Sequence, residues 1–302
     1  MGFTIATNTS SLNAMRNLTL NQTAQSKAVE RLSSGLRINR AADDAAGLAI
    51  SEGLKNQISG LTQANRNAQD GISLIQTAEG ALTEVHSILN RMRDLAVQSA
   101  NDTNNGGSQA AIQKEVDALN DELTRITTTT NFNGINLLDA SAGSAGNGKI
   151  QFQVGAASTD IIEVELTDVN AIVGTTAGDA TVTPAIPGGK VLDLNLGQVD
   201  GTGATTATAT TRAAAIVALD TAIEGVSGAR ADLGAVQNRL ESTSRSISVS
   251  IENLSAANSR IRDTDMATEM ASFTKSQILS SAATAMLAQA NQMNSGVMQL
   301  LQ

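Results

Sequence analysis

The residues best suited to chemistry lie in one short stretch, LSSGLRINRAADDAAGLAI at positions 32–50. It combines two glycines and two arginines with the adjacent carboxylates Asp43 and Asp44, and such residue types bind phosphate groups or metal ions in many proteins. However, GLRINR (35–40) lacks the spacing and the Lys-Ser/Thr pair of a phosphate-binding P-loop. Adjacent carboxylates on a helix also face different directions, and no further oxygen ligand lies in register with them.

A structural interpretation explains the same residues more simply. Aspartates in the first turn of a helix stabilise its dipole by about 0.3–1 kcal/mol, and glycines mark chain breaks or close approaches. We therefore interpret the stretch as a joint between two helical parts, and not as a phosphate or metal site. The residues that we assign to this joint are Gly35, Arg37, Asn39, Asp43, Asp44 and Gly47.

The rest of the chain offers little for catalysis. His86 is the single histidine, and it lies beside an apolar position of a predicted helix, where a surface histidine is the ordinary explanation. The absence of cysteine excludes thiol catalysis and cysteine-ligated metals. No HExxH or GxSxG motif occurs. We expect no catalytic residue, no cofactor and no metal ion, and thus a protein that is not an enzyme.

The composition narrows the class of protein further. The chain of 302 residues is 41% hydrophobic but only 1% aromatic, which suits thin seams between helices better than a core of large rings. Its net charge of −9 argues against a nucleic-acid partner. No apolar run approaches the ~20 residues of a membrane span. The N-terminus lacks the basic start and apolar segment of a Sec signal, so if the protein leaves the cell, we expect it to leave by another route.

Apolar residues recur with 3-4 spacing in four segments, the pattern of long amphipathic helices with coiled-coil-like seams. The longest run covers 61–99, a shorter one 112–126 and a third 216–261. The fourth run consists of Leu279, Ala283, Met286, Ala290, Met293, Val297 and Leu300. Four such runs in one chain favour a helical rod.

The middle of the chain follows a different pattern. Asn133-Gly134 indicates a turn, and alternating apolar residues predict short strands in hairpins around 150–154, 162–166 and 192–196. Gly/Thr/Ala-rich segments between 174 and 211 predict surface loops. We therefore expect a mainly α protein: an elongated rod of long antiparallel helices with terminal coiled-coil arms and a small β-hairpin region in the middle of the chain.

The two ends of the chain are expected to need partners. Residues 1–42 carry a weak apolar stripe and are too polar to form a stable helix alone. Residues 262–302 are apolar along one seam and contain five methionines, and methionine-rich faces adapt to more than one partner. Each end is expected to fold against the other or against neighbouring copies. The seam residues of the C-terminal arm are Leu279, Met286, Met293, Val297 and Leu300.

Several long motifs carry a family resemblance. Besides the stretch at 32–50, these are QDGISLIQTAEGALTEVHSILNRMRDLAVQSAN (69–101), NLSAANSRIRDTDMATEM (253–270) and AMLAQANQMNSGVMQLLQ (285–302). Through them the chain resembles bacterial flagellin over about residues 1–140 and 212–302. The middle of the chain shows no definable motif, which is typical of the variable region of that family.

The resemblance implies a division into three parts. Residues 1–42 and 262–302 would pair as a coiled-coil domain that lines the inner tube of a filament. Residues 43–170 and 212–261 would form a helical rod domain with a β-hairpin, connected to the arms by the joint, whose residues would also take part in subunit packing. Residues 171–211 would form a loop-rich insert that faces solvent.

The resemblance also implies a function and partners. The chain would be a structural subunit that self-assembles into the bacterial flagellar filament for swimming motility, outside the cell. Its implied partners are further copies of itself, an export chaperone that holds the C-terminal helix, and the flagellar cap and hook–filament junction proteins. The family exports its subunits through the flagellar type III channel, which agrees with the missing Sec signal.

One family motif implies a receptor as well. Flagellins are recognised by Toll-like receptor 5 through an arginine and a leucine on the long rod helix and a glutamate on the next helix. In this sequence those positions are Arg91 and Leu95 within NRMRDLAVQ, and Glu115 within IQKEV. Packing between subunits is an alternative role for Arg91 and Glu115, and both roles can coexist.

Two other functions remain to be compared with a filament subunit. A hook–filament junction protein shares the paired-arm design, and long polymers would distinguish the two. A secreted enzyme on a filament scaffold would need metal ligands or a nucleophile in its insert, and residues 141–211 contain no His, Cys or Tyr.

Overall fold

The computed structural model describes residues 8–101, 103–143, 146–173 and 209–300, except for the side chains of 209–211 and 293–300. The elements are α1 (Thr9–Ser34), α2 (Ala45–Ser99), α3 (Gly106–Thr129), β1 (Asn131–Phe132), β2 (Ile135–Asn136), β3 (Lys149–Gln153), β4 (Ile161–Glu165), α4 (Val169–Val173), α5 (Ala209–Arg262) and α6 (Met266–Leu300). The expected mainly α chain with hairpins in its middle is confirmed. Within the described part, no helix is long and apolar enough to cross a membrane.

The chain divides into two compact units. The terminal unit takes Met1–Ser59 and Ile251–Gln302, and the central unit takes Gly60–Ser250. Helices α2 and α5 therefore contribute a segment to each unit.

The central unit has a continuous hydrophobic core along α2, α3 and α5. The 3-4 spacing of the longest run predicted the buried face of α2, since nearly every position of that run is buried. These buried positions are Ala64, Ala68, Ile75, Ala78, Leu82, Val85, Leu89, Met92 and Ala96. From α5 the same core takes Leu219, Val226, Leu233 and Leu240. The buried face of α2 thus consists of alanines and larger aliphatic side chains and of Met92, with no aromatic residue among these positions.

Two antiparallel hairpins complete the central unit. Strands β3 and β4 pair with Ile150 opposite Val164, which confirms two of the three predicted strands; the third, at 192–196, lies outside the described residues. The β3–β4 hairpin lies against α2, where Asn67 Nδ2 donates to the Gln153 carbonyl at 3.0 Å. At Gly71 an added Cβ would lie only 3.2 Å from the Phe152 ring, so glycine permits this close contact.

The β1–β2 hairpin turns at the predicted Asn133-Gly134 pair. Both residues have positive φ values, 50° and 79°, as a two-residue hairpin turn requires. Phe132 pairs with Ile135 on either side of the turn. The sequence pattern indicated the turn but not these two-residue strands, which are too short to show an alternation.

In the terminal unit, α1 and α6 pack as antiparallel helices. Near one end of the pair, Asn8 Nδ2 donates to the Ala290 carbonyl at 3.0 Å, and near the other, Arg31 lies 3.7 Å from the Glu269 carboxylate. On both helices the partly or fully buried residues recur with 3-4 spacing, and many of them are small or polar. They include Ala14, Leu18, Asn21, Gln25, Ala28 and Leu32 on α1, and Phe273, Ser276, Ser280, Ala283, Leu287 and Ala290 on α6.

Candidate functional site

The joint begins where α1 ends at Gly35. This residue has a φ of 71°, a left-handed conformation that favours glycine, and its N–H donates to the Arg31 carbonyl at 2.8 Å. The chain then leaves the helix axis and buries Ile38, which is 1% exposed. A helix cap formed by glycine thus sets the direction of the chain at the joint.

The joint is tied to the connection between α5 and α6 by backbone hydrogen bonds. Leu36 and Asp263 form an isolated antiparallel bridge. The Arg37 N–H donates to the Arg262 carbonyl at 2.6 Å, and the Thr264 N–H donates to the Gly35 carbonyl at 3.0 Å. A short backbone ladder therefore ties the α1–α2 connection to the α5–α6 connection.

The side chain of Arg37 adds a second tie to the same place. Its Nη2 donates to the Ile261 carbonyl at 2.7 Å, in the last turn of α5. Carbonyls at the end of a helix have no partner within that helix, and a cation there also interacts favourably with the helix dipole. Arg37 therefore caps α5 from the other side of the joint.

Asn39 and Asp43 hold the turn between α1 and α2. Asn39 Nδ2 donates to Ser34 Oγ at 2.7 Å, back toward the end of α1. Asp43 Oδ2 accepts from the backbone amides of Arg40 at 3.1 Å and Asn39 at 3.3 Å. The hydrogen bond from Arg40, with that from Asn39, holds the pKa of Asp43 below its ordinary value because both stabilise the carboxylate.

Asp44 and Gly47 start α2. Asp44 Oδ1 accepts from the Gly47 N–H at 2.9 Å, which is the hydrogen bond of a helix N-cap. A Cβ on Gly47 would lie 2.5 Å from Asp44 Oδ2 and 2.8 Å from Ile38 Cδ1. The six predicted joint residues thus lie between the end of α1 and the first turn of α2, where both aspartates accept hydrogen bonds from backbone amides. Among the described residues no group of three or more metal-ligating side chains occurs.

Several contacts of this region were not predicted. Arg262 Nη1 donates to Glu52 Oε1 at 2.8 Å. Asp265 caps α6, since its carboxylate accepts from the amides of Ala267 at 2.9 Å and Thr268 at 3.3 Å. The hydrogen bond from the Thr268 amide is the largest contribution that keeps the pKa of Asp265 below its ordinary value. An aspartate before a helical run is a known start signal, so Asp265 could have been found in the sequence.

The second predicted site lies on the central unit, and the structure brings only part of it together. Arg91 Nε donates to Glu115 Oε1 at 2.8 Å, from α2 to α3. Both side chains are about half exposed. Leu95, one turn further along α2, is 1% exposed and belongs to the hydrophobic core. Arg91 and Glu115 therefore form a surface pair, while Leu95 packs beneath the surface.

The predicted 3-4 run of α6 lies only partly on the face that packs on α1: Ala283 and Ala290 turn inward, but the larger seam residues whose side chains are described do not. Leu279 and Met286 are 43% and 65% exposed in the single chain, whereas the helix turns the face with Ser276, Ala283 and Leu287 inward. The side chains of Met293, Val297 and Leu300 lie outside the described residues. Among the described side chains, the two large apolar residues of the predicted seam, Leu279 and Met286, are thus left uncovered, because the α1–α6 contact uses mostly smaller side chains.

Comparison with known proteins places these features in a family. The sequence profile of the bacterial flagellin N-terminal helical region matches residues 5–143, and that of the C-terminal helical region matches residues 216–301. A flagellin from Halalkalibacterium halodurans is 50% identical over 294 residues, which cover 97% of this chain and 98% of the relative. The chain belongs to the bacterial flagellin family. The resemblance inferred from the motifs is confirmed.

Two further proteins show how far this similarity extends. The flagellar filament 30.7 kDa core protein of Treponema maltophilum is 42% identical to this flagellin, over 97% of this chain and 98% of the relative. The solved structure of a protein assigned as flagellar hook-associated, from Vibrio parahaemolyticus, has a TM-score of 0.58 and 16% identity, and it covers 73% of this chain and all of that one. At that identity the match shows a shared fold alone.

Proposed function

We propose that this flagellin is a structural subunit that assembles with further copies of itself into the flagellar filament, outside the cell, for swimming motility. The observation that carries the proposal is the poor core of the terminal unit. Within its described residues, Ala28 and Ile38 are the only hydrophobic side chains that are fully buried. Two long helices with so little buried apolar surface need additional surface to cover them.

The surface that remains uncovered is apolar and lies on both helices. On α1, Leu12 and Met15 are each 60% exposed; on α6, Ile278 is 63% exposed. Full burial of such a side chain stabilises by about 1.5–3 kcal/mol. Contacts among many copies would therefore bury several such residues per subunit, and this favours a polymer whose arms pack together.

Through the joint, contacts that the arms make with neighbouring copies would be coupled to the rest of the subunit. The backbone ladder of the joint ties the α1–α2 connection to the α5–α6 connection. Asp44 caps the start of α2, and Arg37 caps the end of α5. We keep the division into arms at 1–42 and 262–302, a rod at 43–170 and 212–261, and a solvent-facing insert at 171–211 as part of the proposal. In this arrangement Gly35 is needed for its left-handed backbone conformation and Gly47 for close packing at the joint, and neither is needed for a ligand.

Receptor recognition is a further part of the proposal. Arg91 and Glu115 are exposed and already paired across α2 and α3, so a receptor would meet a preformed surface. Leu95 is buried in the single chain. Its contribution to recognition by Toll-like receptor 5 would therefore come from holding the α2 surface in shape, and not from direct contact.

The remaining partners follow from the same uncovered surface. An export chaperone would cover the apolar face of α6 before assembly, and the flagellar cap and hook–filament junction proteins would meet the arms at the ends of the filament. Export would use the flagellar type III route without a cleaved Sec signal. We assign the chain a structural role and no enzymatic activity.

Seeded polymerisation tests the proposed function. Purified monomer is mixed with short filament fragments and a salting-out anion, and the product is viewed by negative-stain electron microscopy. A variant that lacks residues 1–42 and 262–302 serves as the control. Long tubes from the full chain and none from the shortened chain are expected. Short discrete rings would instead favour the alternative, a hook–filament junction protein, and a persistent monomer would contradict both.

A further inference from the structure

The chain contains three Asn-Gly steps, at 105–106, 133–134 and 147–148. Asn-Gly is the sequence in which a backbone amide nitrogen most readily attacks the preceding side-chain carboxamide, because glycine offers no Cβ to hinder the approach. The reaction needs a free nucleophile on the glycine and a carboxamide that can turn toward it. The folded protein fulfils these two conditions differently at the three steps.

At Asn105 the carboxamide is held in place. Its oxygen accepts from the Ser108 amide at 2.8 Å and from the Ser108 hydroxyl at 3.0 Å, as the N-cap of α3. To reach the Gly106 nitrogen, the side chain would have to give up both hydrogen bonds and with them the cap. Because loss of an N-cap destabilises the helix, this reorientation is opposed.

At Asn147 the nucleophile is held instead. The Gly148 N–H donates to the Ala142 carbonyl at 2.9 Å, and the Gly148 carbonyl accepts from Leu166 at 2.7 Å. Gly148 is buried, and an added Cβ would lie 2.8 Å from the Leu166 carbonyl oxygen. The Asn147 oxygen also accepts from the Lys149 amide at 3.2 Å. At this step the nucleophile is buried and hydrogen-bonded, and the exposed carboxamide is hydrogen-bonded as well.

At Asn133 neither group is held. The Asn133 carboxamide and the Gly134 N–H make no hydrogen bond to any residue in the described part of the chain. Both residues are exposed, and the Cβ position of Gly134 faces open space. The strands on either side, β1 and β2, are two residues long. Local opening of so short a hairpin costs little free energy, so the turn can reach the geometry for attack.

We infer that Asn133 is a site of spontaneous deamidation in the folded protein, with water as the co-reactant. The Gly134 nitrogen attacks Cγ of Asn133, a new N–Cγ bond forms, and the Cγ–Nδ2 bond breaks as ammonia leaves with the amide proton. Water then opens the succinimide ring at either carbonyl. The products are aspartate and isoaspartate, and no oxidant or reductant takes part.

The modification changes the hairpin tip in two ways. Each product adds one negative charge to an exposed turn. The isoaspartyl product also adds a methylene group to the backbone at a position whose φ of 50° belongs to a tight two-residue turn. The β1–β2 pairing is then lost, while Leu137 and Leu138, buried directly after β2, hold the rest of the segment in the core.

The three steps provide their own controls in one experiment. The full-length monomer is incubated at physiological temperature in mildly alkaline buffer, and conversion at each asparagine is followed by digestion and fragment-ion mass spectrometry. That method also separates aspartate from isoaspartate. A parallel sample is incubated in denaturant, where all three steps have the same reacting pair and are expected to convert at comparable rates.

In the folded sample Asn133 is expected to convert about tenfold faster than Asn105 and Asn147, the ratio that ~1.4 kcal/mol of difference in opening free energy gives. Conversion at Asn105 or Asn147 that equals or exceeds conversion at Asn133 would overturn the inference. So would conversion at Asn133 that occurs in denaturant and stops in the folded protein. The outcome does not depend on whether the chain forms filaments.

Discussion

Arg37 donates two hydrogen bonds to the last turn of α5, from its backbone N–H to the Arg262 carbonyl at 2.6 Å and from its guanidinium to the Ile261 carbonyl at 2.7 Å. Arg37 therefore belongs to the backbone ladder of the joint and also caps the C-terminal end of α5. The connection from α1 to α2 and the connection from α5 to α6 are held together at this point.

Removal of the Arg37 guanidinium is expected to loosen the joint. Arg37→Ala leaves the Ile261 carbonyl without its partner and should lower the free energy of unfolding of this region by about 1–2 kcal/mol. Hydrogen exchange measured by mass spectrometry should show faster exchange in peptides that cover 258–268. Arg40→Ala is the matched control, because its ion pair with Glu30 is exposed and worth less than about 1 kcal/mol. Equal exchange in the two variants would count against the assigned role of Arg37.

A methyl group at Gly47 is expected to destabilise the start of α2. In Gly47→Ala the new Cβ would meet Asp44 Oδ2 at 2.5 Å and Ile38 Cδ1 at 2.8 Å, which forces the N-cap to move. We expect a loss of about 1–3 kcal/mol, seen as a lower melting temperature in circular dichroism.

Gly53→Ala in the same helix provides the opposite control. Gly53 has nothing within 4 Å of its Cβ position, so alanine should stabilise the helix by about 0.5–1 kcal/mol. If both substitutions changed the melting temperature in the same direction, the close contact at Gly47 would not be the cause.

Two aspartates that bind backbone amides predict a stability that depends on pH. Asp43 and Asp265 both have pKa values below the ordinary 3.8, because backbone amides of Arg40 and Thr268, respectively, bind the carboxylates. A depressed folded pKa stabilises the protein above the unfolded pKa, and this stabilisation is lost as the pH falls through the folded pKa. The terminal unit should therefore loosen at pH values below about 4.

The variants Asp43→Asn and Asp265→Asn isolate this contribution. Each should melt at a lower temperature than the parent protein near neutral pH, and the difference should shrink toward zero as the pH falls below about 4. Circular dichroism melting curves across this range measure it. A difference in melting temperature that stays constant down to acidic pH would show that the charge of the carboxylate does not matter.

Substitutions in the Arg91–Glu115 pair should reduce receptor recognition with little change in stability. Because both side chains are about half exposed, Arg91→Ala and Glu115→Ala should each change the free energy of unfolding by less than about 1 kcal/mol. Both should reduce signalling in cells that report Toll-like receptor 5 activity. Arg93→Ala, which breaks a similar exposed pair with Asp220, tests whether any lost surface pair has this effect. Full signalling by the Arg91 and Glu115 variants would contradict the proposed recognition.

The long helices and the β3–β4 hairpin were predictable because their patterns are local. The 3-4 spacing along α2 identified the buried positions from Ala64 to Ala96, and alternation identified β3 and β4. The sequence placed Asp43 and Asp44 at a helix start; in the structure Asp44 caps α2, whereas Asp43 lies in the turn before it and binds the amides of Asn39 and Arg40.

The ties across the joint were not predictable, because they connect residues far apart in the chain. Arg37 and Ile261 are separated by 224 positions, and no local pattern pairs them. The face of α6 was also not predictable from its apolar stripe. Leu279 and Met286 are exposed in the single chain, since the helix turns smaller side chains toward α1.

The central claim, that further copies cover this exposed surface of α6, can be tested with a single thiol. The chain has no cysteine, so Ile278→Cys introduces one reactive position, and maleimide labelling measures its exposure in the monomer and in seeded filaments. A second variant, Thr205→Cys, reports on the insert that the sequence predicts to face solvent. We predict fast labelling of position 278 in the monomer and strong protection in filaments, with position 205 reactive in both. Equal labelling of position 278 in monomer and polymer would contradict the account.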